Sequence, residues 1–248
     1  MSLRILYLIT ARGGSKGLPR KNLADIGGLS LIGYKARAAR RSGSCNRLIV
    51  SSDDPEIIAE AGRHGAEAPF VRPANLATDT ASSDDVVLHA MDFVEAEEGR
   101  PYDAIMLLEP SSPFARPADF DDALDMFERN RAALVVGMKP TEVAAQFTGP
   151  LAPDGCADRI VEKFTDERAT RRQDMEPEFT MNGALYLIDW SMMRRTGRVY
   201  GDPKSTFGLV MDRSYSCEIE TPFDLDLARF LVERGVIDTT PWIGDIAR

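Results

Sequence analysis

Short apolar runs, nearly free of polar residues, restrict most strongly how this chain can fold. They are Ile5–Ile9, Leu48–Val50, Ala104–Leu108, Leu134–Gly137 and Ala184–Ile188. Continuous apolar runs of this length are typical of strands buried on both faces, as in a parallel sheet. Since parallel strands need long crossover connections, we expect helices between the runs.

Amphipathic stretches between these runs predict the helices. Ser83–Glu97 places its apolar residues on one helical face, with Ser82 or Ser83 as the N-cap. Pro55–His64 and Pro117–Arg129 each begin with a proline, which suits the first turn of a helix. This alternation predicts right-handed crossovers and an α/β fold, a three-layer α/β/α sandwich with a mainly parallel sheet.

The alternation of strands and helices stops between about residues 139 and 181. Prolines and glycines interrupt this segment first, and charged residues dominate it from Glu162 to Asp174. A long connection without regular elements is often a functional lid or an arm between subunits, although a simple surface insertion has the same pattern. We therefore expect one domain over residues 1–248, with an inserted arm at about 139–181.

The composition argues against several classes of function. With a formal net charge of −9, the chain lacks the basic balance typical of nucleic-acid binders, so we expect no nucleic-acid partner. No apolar run approaches the ~20 residues that cross a bilayer, and the N-terminal residues do not resemble a signal peptide. Cys45, Cys156 and Cys217 are scattered and odd in number, which indicates reduced thiols. We expect a cytoplasmic protein without a membrane partner.

A glycine-rich loop, Thr10–Asn22, follows the first predicted strand. Its glycines permit close approach of the backbone, whose amides can bind a phosphate chain. Its cations, which can grip phosphate oxygens, are Arg12, Lys16, Arg20 and Lys21. The loop has neither Walker A spacing nor Gly-x-Gly-x-x-Gly, which disfavours a P-loop or a dinucleotide site. It predicts phosphate binding at the carboxyl end of the sheet, with a solvated basic turn as the alternative.

The segment Ala11–Leu23 resembles the signature of the CMP-sialic-acid synthetase, or acylneuraminate cytidylyltransferase, family. Further stretches resemble that family in the same order, namely Ser51–Asp53, Arg72–Ser83, Leu107–Pro113, Arg171–Asp174, Asn182–Tyr186 and Glu218–Leu225. The resemblance thus covers nearly the whole chain. In that family the anomeric hydroxyl of an acidic sugar attacks the α-phosphorus of CTP, and pyrophosphate leaves with the assistance of Mg²⁺.

The resemblance implies roles for individual residues. Lys21 and Arg12 are the expected catalytic cations, because charge builds on the phosphoryl oxygens during transfer. The implied nucleotide-binding residues are Arg12, Gly13, Ser15, Lys16, Lys21, Asn22, Arg72 and Ser83. The implied sugar-binding residues are Glu109, Ser111, Arg172, Gln173, Asn182 and Tyr186. The implied Mg²⁺ ligands are Glu218 and Glu220, whose side chains share one face if this segment is extended.

The chain departs from the family pattern at the sugar and metal positions. The family often has Gln where this chain has Glu109, and it usually has Asp-Ile-Asp where this chain has Glu218-Ile-Glu220. It also usually has an Arg where this chain has Ala115, and Arg116 is the residue that could compensate. Together these departures suggest another nonulosonic acid, or another nucleotide, as the substrate.

Several alternatives stay open at this point. A relative of the same fold could use GTP, or could act on another acidic sugar or on a neutral or phosphorylated one. A catalytically silent nucleotide-sugar binding protein would keep the phosphate loop but release no pyrophosphate. The resemblance also implies a homodimer, in which the arm at 139–181 places Arg172 and Gln173 near the cleft of the partner.

Overall fold

The computed structural model describes residues 3–15, 17–164 and 176–244. Its strands are β1 Ile5–Thr10, β2 Asp25–Ile26, β3 Leu29–Ser30, β4 Arg47–Ser51, β5 Ala104–Leu108, β6 Leu134–Pro140, β7 Phe179–Asp189 and β8 Thr206–Val210. Its α-helices are α1 Leu31–Arg41, α2 Pro55–Arg63, α3 Ser83–Glu98, α4 Pro117–Asn130, α5 Asp158–Val161, α6 Trp190–Thr196, α7 Pro222–Glu233 and α8 Thr240–Ile243. Strands and helices alternate through most of the chain, as the sequence pattern predicts.

The main sheet has six strands in the order β4-β1-β5-β7-β6-β8, and β2 and β3 form a separate hairpin. β1 is parallel to β4 and β5, and β6 is parallel to β8. β7 is antiparallel to both β5 and β6. The prediction of a mainly parallel sheet is confirmed, but the expectation that Ala184–Ile188 is a parallel strand is wrong. Burial on both faces made this run look parallel, and burial does not depend on strand direction.

Helices cover both faces of the sheet, so the predicted three-layer α/β/α sandwich is confirmed. Ile5, Tyr7 and Ile9 of β1 face one core, to which α1, α4 and α7 contribute. Leu6 and Leu8 face a second core, formed with α3 and α6. This alternation follows from the two-residue period of a strand. Among the described residues, we find no helix with the length and apolarity that a membrane span requires.

The three helices predicted from the sequence are confirmed within one residue at each end. In α3 the N-cap is Ser82, whose hydroxyl accepts a hydrogen bond from the amide of Asp85. Several elements were not predicted, among them α1 and β8. The apolar residues of α1 follow directly on those of the preceding hairpin and are interrupted by a lysine, so the helical pattern is hidden. β8 is a partly exposed edge strand and lacks a continuous apolar run.

The arm expected at about 139–181 corresponds to the connection between β6, which ends at Pro140, and β7, which begins at Phe179. Its described part contains one short α-helix, α5, two 3-10 turns, and several exposed apolar side chains, Val143, Phe147, Leu151 and Val161. A contiguous patch of such side chains marks an interface, whereas scattered ones are normal on a surface. That the segment is an arm between subunits stays a prediction.

Candidate active site

A cleft of about 380 Å³ lies at the carboxyl ends of β1 and β5, where open α/β sheets bind their ligands. It is lined by Thr10, Ala11, Arg12, Ser15, Gly17, Leu18, Lys21, Asn22, Glu109, Pro110, Ser111, Glu218 and Glu220. Because β7 is antiparallel, its beginning lies at this same edge of the sheet. The glycine-rich loop, the end of β5 and the segment before α7 therefore meet at one place.

The glycine-rich loop is held in place by short contacts with other segments. A Cβ added at Gly17 would lie 2.5 Å from the backbone oxygen of Glu220, so a glycine is required for this approach. The amide of Gly13 donates to the Asp53 carboxylate at 3.1 Å. The buried side chain of Asn22 donates to the carbonyl of Arg12 at 3.0 Å. Asn22 therefore supports the loop from behind as well as lining the cleft.

The two predicted catalytic cations both line the cleft. Lys21 lies in the short 3-10 turn that ends the loop, and its Nζ is 2.7 Å from Oε1 of Glu220. The guanidinium of Arg12 donates to the carbonyl of Thr78 at 2.8 Å and pairs with Asp79 at 3.0 Å. Because both cations line the same cleft, they can approach one phosphate chain.

A second pocket, of about 260 Å³, adjoins the cleft because Thr10 and Arg12 line both. It also contains Arg72 and Ser83, two of the predicted nucleotide-binding residues. Arg72 is buried, its Nε donates to Oγ of Ser51 at 3.0 Å, and burial lowers the pKa of its guanidinium to about 10. The structure thus places the described residues that were predicted to bind the nucleotide, apart from Gly13, along two adjoining pockets.

The opposite side of the cleft carries carboxylates. Burial raises the pKa of Glu109, the charge of Lys35 opposes this shift, and the charge of Glu218 adds to it. Gly183 lies within β7, where the pairing with β6 shifts register, and has a φ of 65°. A Cβ at this glycine would lie 3.1 Å from Oε2 of Glu109 and 3.6 Å from Oε1 of Glu218. Both carboxylates therefore approach the backbone bend at Gly183.

Glu218 and Glu220 both line the cleft, although their loop is not part of the sheet. Carboxylate oxygens are ligands that Mg²⁺ prefers, and Mg²⁺ often uses only one or two of them beside phosphate oxygens. Among the described residues, no group of three or more His, Cys, Asp or Glu side chains is arranged to hold a metal ion by itself. The two residues fit a Mg²⁺ shared with a triphosphate, and their role as ligands stays a prediction.

The other predicted sugar-binding residues are placed differently. Ser111 lines the cleft, and its carbonyl accepts a hydrogen bond from Ile219 at 2.8 Å. The Asn182 side chain is fully buried and hydrogen-bonded to Ser216 at 3.1 Å, and it is not among the described residues that line the cleft. Tyr186 is nearly buried within β7, and burial, with Glu109 adding to it, raises the pKa of its hydroxyl. Arg172 and Gln173, like Lys16 of the loop, lie outside the described residues.

Arg116 does not replace the family arginine in this cleft. Its guanidinium pairs with Asp119 at 2.8 Å and lies over the ring of Tyr215 at 4.7 Å. Ala115 is buried, and its carbonyl accepts the indole N–H of Trp242 at 3.2 Å. Neither Ala115 nor Arg116 is among the described residues that line the cleft, so Arg116 does not supply the expected compensating cation there.

Lys35 and Asp53 were not predicted to be near the site. Lys35 is completely buried in α1, and its Nζ donates to the carbonyl of Ala184 at 2.5 Å. Burial lowers the pKa of this lysine to about 7. The available signal was a lysine inside the otherwise apolar segment 31–36, before the arginine-rich end of the helix.

The fold and the cleft are those of a nucleotidyltransferase, with a cationic glycine-rich loop at the carboxyl edge of an α/β sheet. The similarities to known proteins give the family. Residues 6–152 match the cytidylyltransferase family, and the chain belongs to it. The predicted resemblance and the expectation of a nucleotidyltransferase enzyme are thereby confirmed.

Two relatives are similar over almost their whole length. Pseudaminic acid cytidylyltransferase of Campylobacter jejuni is 32% identical over 229 residues, which is 92% of this chain and 96% of the relative. CMP-N,N'-diacetyllegionaminic acid synthase of Legionella pneumophila is 30% identical over 233 residues, 93% of this chain and 97% of the relative. The solved structure of CMP:2-keto-3-deoxy-manno-octonic acid synthetase with CTP has the same fold, with a TM-score of 0.67, 17% identity, and coverage of 94% and 99%.

Proposed function

We propose that this cytidylyltransferase joins CMP from CTP to a sialic-acid-like nonulosonic acid and releases pyrophosphate. The observation that carries the proposal is that one cleft has a side suited to a triphosphate and a separate side suited to an acceptor. A cationic glycine loop with Lys21 lies on one side, and a separate polar side contains Glu109 and Ser111. Two relatives of nearly equal length, named for pseudaminic and diacetyllegionaminic acids, support this acceptor class.

In the proposed reaction the anomeric oxygen of the acid forms a bond to the α-phosphorus of CTP. The bond from that phosphorus to the oxygen bridging to the β-phosphorus breaks, and pyrophosphate leaves with its electron pair. The hydroxyl proton is accepted on the carboxylate side of the cleft, where Glu109 and Glu218 lie. Lys21 and Arg12 offset the charge on the phosphoryl oxygens and the leaving group, and Gly13 and Ser15 contribute to the triphosphate site.

Arg72 and Ser83 would hold the remainder of the nucleotide in the second pocket. The hydrogen bonds of Arg72 to Ser51 fix its guanidinium before any ligand binds, which lowers the entropic cost of binding. Ser83 is available for the ligand because Ser82 caps α3. The shared residues Thr10 and Arg12 place this pocket next to the triphosphate loop.

Glu218 and Glu220 would hold Mg²⁺ in this scheme. Mg²⁺, when bound, supplies positive charge that offsets the triphosphate and the leaving pyrophosphate. Glu220 already pairs with Lys21, so the cation and the metal ligand belong to one charge network. The side chains here are one methylene longer than the usual aspartates, which gives the carboxylates more reach.

The proposal includes a homodimer in which Arg172 and Gln173 of the arm complete the acceptor side of the partner's cleft. The exposed apolar residues of the arm, Val143, Leu151 and Val161, support an interface there. We also infer that the protein acts in the cytoplasm, because its three cysteines, all described, are free. Light scattering at working concentration tests the dimer, and a monomer would count against it.

The reaction is tested by pyrophosphate release with Mg²⁺, crossing CTP, GTP, ATP and UTP against pseudaminic, legionaminic, N-acetylneuraminic and 2-keto-3-deoxy-manno-octonic acids. Release with CTP and one of the first three acids is the expected result. Release only with GTP would keep the reaction class but change the nucleotide. If the protein binds CTP and releases nothing with any acid, the catalytically silent alternative is correct.

A further inference from the structure

A fully buried lysine lies beneath the acceptor side of the cleft, where the proposed reaction has no direct use for it. Lys35 is on α1, and its Nζ donates to the Ala184 carbonyl at 2.5 Å. Burying an ammonium group is costly unless nearby groups compensate for the lost water. Its position therefore raises the question of what the charge does there.

The carbonyl that Lys35 contacts belongs to a bend within β7. Gly183, with its φ of 65°, forms this bend, and the pairing of β6 with β7 shifts register nearby. Asn182 accepts a hydrogen bond from the amide of Ala184 at 3.1 Å, and Ser112 donates to the carbonyl of Asn182 at 2.6 Å. Lys35 adds a charged contact at the carbonyl of Ala184.

Two carboxylates of the cleft approach the same bend. Glu109 and Glu218 both approach Gly183, at 3.1 and 3.6 Å from the position of a Cβ there. Any movement of the bend would therefore change the position of the backbone that these two carboxylates approach.

The charges that face Lys35 come from two elements. Glu109 lies at the end of β5, Asp119 lies on α4, and both act on Lys35 through space. Asp119 already pairs with Arg116 at 2.8 Å. Within the described part of the chain Glu109 forms no ion pair, so Lys35 is the buried cation best placed to offset its charge.

We propose that Lys35 is a positioning residue for the acceptor side of the cleft: its ammonium group fixes the Gly183 bend and offsets the charge of Glu109. Lys35 contacts no substrate. The inference rests on the proposed function, because it assigns the acceptor to the side of the cleft that contains Glu109. Without the buried cation, an acidic sugar would meet the carboxylates of Glu109, Glu218 and Glu220 with less compensation.

The test is a double-mutant cycle of Lys35→Met and Glu109→Gln. We expect Lys35→Met to raise KM for the acid about tenfold while KM for CTP stays within about twofold. In the Glu109→Gln background the same change should have a much smaller effect, because the charge that Lys35 offsets is gone. Arg37→Met is the matched control, since it removes a cation from the same helix that contacts Trp242 and His64 instead.

A pH series distinguishes a charged role of Lys35 from a purely structural one. Only the charged role makes KM for the acid depend on the protonation of this lysine. Because burial lowers the pKa of Lys35 to about 7, KM for the acid should rise between pH 6.5 and 8.5 in the wild type and not in Lys35→Met. Equal changes in both KM values, or single-mutant effects that multiply in the double mutant, would overturn the proposal.

The same cycle measured by chemical unfolding does not depend on activity. Lys35→Met should be more stabilising in the Glu109→Gln background, where the buried ammonium has lost its partner, than in the wild type. An identical effect in both backgrounds contradicts the inference. If no acid is a substrate for the wild type, the proposed function fails, and the unfolding cycle still decides whether the Lys35 and Glu109 charges are coupled.

Discussion

We propose that one side of the cleft binds the nucleotide and the other binds the acceptor, and these two sides, the nucleotide side and the acceptor side, are built in different ways. Most of the nucleotide side comes from one loop, Thr10–Asn22, directly after β1. The acceptor side combines the end of β5, the bend of β7, the Glu218–Glu220 loop and a lysine on α1. The chain follows the family pattern on the first side and departs from it on the second. Specificity can therefore change on the acceptor side while phosphate chemistry is retained.

The largest expected effect is on the nucleotide side. Lys21→Met should lower kcat about 10³-fold, because the amine acts mainly on charge that develops during transfer. CTP binding should weaken far less. Steady-state pyrophosphate release and calorimetry with CTP separate the two effects.

Arg20→Met is the control for this prediction. Arg20 is the adjacent cation, but it pairs with Glu56 away from the cleft, so its loss should change kcat little. Similar losses in both variants would mean that the loop acts only through its total charge, and the assigned role of Lys21 would be wrong.

A smaller loss of activity is expected when the glycine-rich loop is displaced from the Glu218–Glu220 loop. A methyl group at Gly17 would lie 2.5 Å from the backbone oxygen of Glu220, so Gly17→Ala must displace one of the two loops. A displacement of about 1 Å can cost roughly 100-fold in kcat/KM. Gly14→Ala is the matched control, because nothing lies within 4 Å of its added Cβ. Equal activities of the two variants would show that contact between the loops is not required.

Glu109→Gln should act on the acceptor side alone. We expect kcat for the preferred acid to fall about tenfold, because the variant loses a carboxylate on the side of the cleft that accepts the hydroxyl proton. KM for CTP should stay within about twofold. Kinetics with the preferred acid and with N-acetylneuraminic acid measure the change in preference, and Glu56→Gln is the surface control. A parallel change for both acids would remove Glu109 from the determinants of specificity.

The smallest expected effect is on stability and follows from Lys35. Its pKa is lowered from 10.5 to about 7 in the folded protein, so above about pH 7 the unfolded chain binds more protons. The free energy of unfolding of the wild type should therefore rise relative to Lys35→Met, by up to about 1.4 kcal/mol per pH unit. The cost of the buried charge is fully present below pH 7. Urea titrations from pH 6 to 9 measure this, and a constant difference would contradict it.

How much the sequence predicts differs between these two sides for a physical reason. The glycine loop is local, so the spacing of its glycines and cations predicts a phosphate site directly. Apolar runs likewise predict β1, β4, β5 and β6, because burial on both faces leaves a local pattern. The direction of β7 depends on pairing with distant strands, which this pattern does not contain.

The acceptor side could be predicted only in part. The resemblance placed Glu109, Ser111 and the two glutamates at the cleft, where the structure has them. Lys35 was missed because a lysine in a helix usually lies on a solvated face. Its burial results from the packing of α1 beneath the bend of β7, and only the three-dimensional structure contains that relation.

Transfer of CMP from CTP to the acid can be tested by following the oxygen atom that joins sugar and nucleotide. A nonulosonic acid labelled with ¹⁸O at its anomeric hydroxyl is incubated with the wild-type protein, CTP and Mg²⁺, and the product is examined by ³¹P NMR. We expect a CMP–sugar whose α-phosphorus signal shows the isotope shift of one bridging ¹⁸O. One pyrophosphate should form for each molecule of product. Pyrophosphate without a labelled CMP–sugar, or no turnover by protein that binds CTP, would contradict the proposed transfer.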